Sequence, residues 1–114
     1  MLTTEEFLKH TGLPEKYKGF KLITKILNEC DFDELFETPT IKIIKVLAKI
    51  YKTSETNIKR DILYAKQKHL EVMPTEIKVK LFGAKKEPST KEYLLAIKIA
   101  ITNDIANILP TKNW

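Results

Sequence analysis

Residues 39–69 read PTIKIIKVLAKIYKTSETNIKRDILYAKQKH, and two helical patterns meet inside this stretch. From 41 to 51 one stripe is Ile41, Ile44, Leu47, Ala48 and Tyr51, and a second stripe of Ile43, Val46 and Ile50 lies beside it. An apolar arc that wide predicts a helix packed on more than one side. Thr38-Pro39 sets a capping residue before a proline suited to the first helical turn, so the helix is expected to begin there. Lys52-Thr53-Ser54 breaks the pattern, and Ser54 has the chemistry of an N-cap. Ile58, Ile62, Ala65 and Leu70 then mark the inner face of a second helix, which Pro74 closes.

Two helices joined by a tight polar turn have the layout of a helix-turn-helix, which slots its second helix into the DNA major groove. That arrangement needs a small residue where the helices cross and an aliphatic anchor ten residues later. Ala48 and Ile58 meet the spacing, with Leu47 and Tyr51 flanking, while Lys52 and Thr53 stand where a glycine and an apolar residue are usual. With Ile58, Ile62 and Ala65 inward, the helical period turns Glu55, Thr56, Lys59, Arg60, Leu63 and Tyr64 outward.

On the DNA reading, residues 54 to 68 enter the groove. Arg60, the chain's only arginine, and Lys59 donate to guanine O6 and N7, and Thr56 meets a base or a thymine methyl. Tyr64 reaches a phosphate or sugar, and Leu63 shares the base-reading face although it carries no donor. Lys52, Thr53 and Ser54 hold phosphates, aided by free backbone N–H groups at the helix start. Lys85-Lys86, beside Gly83, form either a second backbone clamp or a plain surface loop. The bland alternative for Lys59 and Arg60 is a solvated charged face.

Charge follows the same outline. Residues 42 to 68 hold Lys42, Lys45, Lys49, Lys52, Lys59, Arg60, Lys66 and Lys68 against Glu55 and Asp61, a net of +6. The whole chain is net +5, so the remainder is net −1, and the basicity sits where a nucleic-acid face needs it.

At 114 residues the chain is expected to form one domain, with 43% apolar and 31% charged residues placing it among folded globular proteins. No apolar run approaches the roughly 18 to 20 residues of a membrane span, and the first residues lack the signature of a signal peptide. A cytoplasmic address is therefore expected. The single cysteine, Cys30, lies among Ile23, Ile26 and Leu27 and is read as a small buried hydrophobe. His10 and His69 lack zinc-site spacing, and neither a Gly-rich phosphate loop nor a catalytic constellation is present, so no metal, no cofactor and no enzyme activity are expected.

Elsewhere, Thr3 with Glu6 forms a capping-box pattern and Leu2 with Phe7 a hydrophobic staple, predicting a helix over about 4 to 10. Gly12 and Pro14 end it. Phe20, Ile23, Ile26, Leu27 and Cys30 recur at helical spacing, and Phe32, Leu35 and Phe36 are expected to tether a connection to the core. Ile77, Leu81 and Phe82 before Gly83 suggest a short fifth helix. Ser89 with Glu92 opens a long sixth one carrying Tyr93, Leu94, Ile97, Ile101, Ile105 and Ile108. The expected fold is all-α, a compact six-helix domain.

These segments resemble the C-terminal DNA-binding domain of the master response regulator that starts endospore formation in bacteria. The likeness runs through Leu8 to Gly19 with Gly12-Leu13-Pro14 and Lys18-Gly19-Phe20, Ala48-Lys49 with Tyr51, and Thr53 through Ile62. It continues in Leu81-Phe82-Gly83 and in Pro88 with Glu92-Tyr93. It implies a six-helix effector domain that binds double-stranded DNA, often as tandem copies on adjacent sites. Among the polar positions of the recognition helix only the arginine at Arg60 is kept. Lys59 replaces an acidic residue and Leu63 a basic one, so the family's preferred DNA site does not carry over.

The resulting expectation is a freestanding transcriptional regulator binding DNA as a dimer or in tandem, with no receiver domain in the chain. The rival is a protein-interaction module of the same fold that modulates a full-length regulator without site-specific DNA binding.

Overall fold

The computed structural model describes residues 3–84 and 87–102. The first helix, α1 (Thr4–His10), starts at the expected capping box: the Thr3 hydroxyl accepts from the Glu6 N–H at 3.1 Å, and the Glu6 carboxylate accepts from the Thr3 N–H at 2.9 Å. Leu2 lies outside the described residues, while Phe7 is buried. The next helix, α2 (Lys18–Glu29), buries Phe20, Leu22, Ile23, Ile26 and Leu27. Cys30 ends it half-buried rather than enclosed, and burial raises its thiol pKa.

The stretch expected to be a connection is itself a helix, α3 (Phe32–Glu37), so the described residues form seven helices rather than six. Its cause is local. Asp31 accepts the Glu34 N–H at 2.8 Å and Glu34 accepts the Asp31 N–H at 3.1 Å, a capping box strong enough to nucleate a short helix. Only Leu35 is buried. Phe32 and Phe36 are exposed and stack on each other, so neither tethers the segment to the core.

The fourth helix, α4 (Thr40–Ile50), takes Pro39 rather than Thr38 as its N-cap. It is buried on one side only, through Ile43, Ile44, Leu47 and Ala48, while Ile41, Val46 and Ile50 are exposed. The expectation of packing on more than one side fails because the second stripe splits. Ile43 turns toward the core, and Val46 and Ile50 fall on the outer half.

Beyond a four-residue turn, α5 (Glu55–Val72) ends just before Pro74 as expected and buries Ile58, Ile62, Ala65 and His69, while Leu70 is half-buried. Two shorter segments follow: α6 (Thr75–Phe82), ended by Gly83 at φ +62, and α7 (Thr90–Thr102), opened by the Ser89–Glu92 capping box. Ile105 and Ile108 lie outside the described residues.

The centre of the fold is the packing of α2 on α5, with α4 also against α5. Gly19 makes the close approach possible, since a β-carbon there would overlap the Asp61 carbonyl oxygen and the Ala65 Cβ. From its other side α7 touches α2, α3, α5 and α6. Its Lys91 ammonium donates to the carbonyls of Phe36 at 3.0 Å and Thr38 at 2.6 Å, and its Lys98 to that of Leu27 at 2.7 Å. Those carbonyls lie at the ends of α3 and α2, where cations oppose the helix dipole.

One polar chain crosses the core. Thr11, His69 and Tyr93 are each fully buried. The Thr11 hydroxyl donates to the Phe7 carbonyl at 2.8 Å and accepts from the His69 Nε2–H at 2.7 Å, while the Tyr93 hydroxyl donates to His69 Nδ1 at 2.7 Å. Assigned from this network, the neutral Nε2–H tautomer satisfies every atom. Burial pulls the imidazole pKa down to about 4 and pushes the Tyr93 phenol up.

Candidate nucleic-acid interface

The turn between α4 and α5 fixes everything on the outer face. The Thr53 N–H donates to the Ala48 carbonyl at 3.0 Å and the Lys52 N–H to that of Lys49 at 3.4 Å, the paired bonds of a Schellman motif. Lys52 occupies the left-handed position that such a motif usually gives to glycine, at φ +53. It is the one non-glycine residue with positive φ among the described residues. Ser54 then caps α5 as expected, its hydroxyl accepting from the Asn57 N–H at 3.0 Å. The Asn57 side-chain amide donates to Thr53 Oγ1, also at 3.0 Å. Both hydroxyls therefore keep a hydrogen to donate.

From this start the helical period carries Glu55, Thr56, Lys59, Arg60, Leu63 and Tyr64 into solvent, matching the sequence expectation. Arg60 keeps 63% of its side-chain surface exposed, and its nearest carboxylate is its neighbour Asp61 at 3.5 Å. Thr56, Lys59, Arg60, Leu63 and Tyr64 line one shallow depression together with Gln67. Gln67 was legible too, because it follows Leu63 by four residues and Tyr64 by three. Tyr64 is held in place: the Tyr17 ring meets it edge-on at 5.4 Å, and the Lys68 ammonium lies 5.7 Å from its centre.

Lys45 and Lys49 of α4 open onto a second depression with Thr53, Ser54 and Glu55, at the N-terminal end of α5. The sequence places both lysines in the basic window but assigns neither a phosphate contact, although Ile41, Lys45 and Lys49 share one stripe at a spacing of four. A third depression, between α2 and α5, sets Lys18 and Lys21 beside Asn57, Arg60 and Asp61. The Lys21 ammonium lies 5.3 Å from the Tyr51 ring. Among the described residues Lys45, Lys49, Lys52 and Lys59 join no ion pair, so their field reaches solvent uncancelled. Lys85 and Lys86 lie outside the described residues.

The two histidines sit apart from this face, His69 in the core and His10 against the Glu6 carbonyl at 2.7 Å. Among the described residues no group of His, Cys, Asp and Glu side chains is arranged to hold a metal, and no helix is long and apolar enough to cross a membrane. Compared with known proteins, the chain matches no family model, no curated protein and no solved structure.

Proposed function

We propose that α4 and α5 act as a helix-turn-helix and that this chain is a sequence-specific DNA-binding transcriptional regulator, an effector-type domain akin to that of the sporulation response regulator. The observation that carries the reading is the exposed stripe of α5, where a guanidinium and an ammonium stand side by side with lysines on both flanks. An α-helix with its side chains is about 10–12 Å across and the major groove about 12 Å wide, so the groove admits such a helix. Arg60 and Lys59 then read guanine, Thr56 and Leu63 meet base edges or a thymine methyl, and Tyr64 contacts the sugar–phosphate backbone.

Lys52, Thr53 and Ser54 supply the phosphate contacts, with Lys45 and Lys49 alongside. Burial of Ala48 at the crossing and of Ile58 as the anchor supports the helix-turn-helix geometry, as does the left-handed backbone at Lys52. A single small module buries only about 600–1,000 Å² on DNA, which favours dimeric or tandem binding.

Selection of bound fragments from random DNA, followed by titration at several salt concentrations, tests the reading. Arg60→Ala is expected to weaken the selected site by about 1–3 kcal/mol and relax one base, whereas Lys52→Ala weakens all sequences alike. Equal losses on selected and random DNA for both variants would refute that division. The second reading, a protein-interaction module of the same fold, draws on Leu63, whose 39% exposure sets an aliphatic group on the polar stripe. It requires sequence-indifferent binding that collapses with salt, beside tight association with a protein.

A further inference from the structure

Two helices consecutive in the chain carry opposite charge. Residues 31–37 hold Asp31, Asp33, Glu34 and Glu37 and no cation, whereas residues 40–50 hold Lys42, Lys45 and Lys49 and no carboxylate. Asp31 and Glu34 are occupied by their capping box. Asp33, Glu37 and Lys42 join no ion pair among the described residues.

Beside the free carboxylates, Phe32 and Phe36 form an exposed aromatic stack, with Phe36 60% accessible. Beside Lys42 on its own outer stripe of α4 stand Val46 and Ile50, 56% and 48% accessible. The residues that face the α5 N-terminus, Lys45 and Lys49, belong to a different stripe of the same helix. One helix thus offers aromatic carbon edged by negative charge, and the next offers aliphatic carbon edged by positive charge.

We propose that this pair of faces is a self-association surface whose partner is a second copy of this chain. In such a dimer a two-fold axis lays the α3 of each copy on the α4 of the other, and both contacts form at once. A patch carrying both halves of a complementary pair is what an isologous interface needs. Phe32 and Phe36 lie against Val46 and Ile50, and Asp33 and Glu37 approach Lys42. Exposed aromatic and aliphatic side chains supply the buried centre of the interface and the charges its rim.

Sedimentation velocity on the full chain as a function of concentration and salt tests this. A reversible dimer that weakens as salt rises is expected. Glu37→Lys and Lys42→Glu each set like charges opposite one another twice per dimer and weaken self-association at least about tenfold. Mixing the two variants restores one native contact and one reversed contact, so the heterodimer regains most of the lost affinity. Phe36→Ser weakens the dimer without any charge change. All three positions are exposed, and circular dichroism checks that the fold is kept.

A chain that stays monomeric at every concentration in low salt overturns the proposal. So does a dimer indifferent to these substitutions, or a mixture that associates no better than either variant alone. Phe36→Ser lies off the α5 stripe and changes no charge, so the base preference of this variant reports on the DNA proposal separately from self-association.

Discussion

Acid should weaken this fold through a buried imidazole. His69 is fully enclosed, and burial holds its pKa near 4 against an ordinary value of 6.5. In the unfolded chain the imidazole regains its ordinary value, so between those limits the unfolded state binds the proton and the folded state does not. Stability is therefore full above pH 6.5 and falls as the pH drops toward 4. The gap of roughly two and a half units corresponds to about 3 kcal/mol. A domain of this size holds about 5–15 kcal/mol in all, so the loss is a large fraction of the total.

The geometry explains why the fold cannot absorb the proton. A protonated Nδ1 would point its hydrogen at the Tyr93 hydroxyl, 2.7 Å away, which then has to accept and leave its own hydrogen without a partner. Urea denaturation of the native chain and of His69→Phe at several pH values between 7 and 4 isolates the effect. Phenylalanine keeps a ring in the same space but deprives the Tyr93 hydroxyl of its acceptor, which costs about 1–3 kcal/mol at pH 7. Carboxylate titration is common to both proteins and cancels in the difference. The native chain's advantage at pH 7 is expected to shrink steadily and to vanish or reverse near pH 4. A constant gap across that range would refute the reasoning.

Two further substitutions address the scaffold. Gly19→Ala is expected to destabilise the fold by about 1–3 kcal/mol, read from urea midpoints, because the new methyl meets a backbone oxygen and a β-carbon of α5 that cannot swing away. Lys52→Gly removes the penalty of a left-handed lysine and is expected to raise stability by about 1 kcal/mol, moving the thermal midpoint up by about 4–8 °C.

The helices flanking the turn were legible because their signals are local. Ser54 caps where its hydroxyl predicts, and the inner positions Ile58, Ile62 and Ala65 fix by subtraction which side chains of α5 look outward. Where local and long-range signals part, sequence reading fell short. In α3 two of three apolar residues stay in solvent, so hydrophobic spacing suggested a tether, and the capping box of Asp31 and Glu34 was the better guide. On α4 the apolar arc was real, but neighbouring helices cover only half of it. The Thr11–His69–Tyr93 chain joins residues 58 and 24 positions apart, and no periodicity announces such a bond. The burial of His69 alone was within reach, since it continues the stripe of Ala65 at a spacing of four.

The lysines of α7 impose an order on synthesis. The carbonyl of Leu27 waits for an ammonium 71 residues later, and those of Phe36 and Thr38 for one more than 50 residues later. A ribosome thus releases α2 and α3 with open carboxyl ends, and the nascent chain closes them only when residues 91 and 98 have left the exit tunnel. Until then α2 and α3 lack the cations that satisfy their last carbonyls, and the core beside them is unfinished.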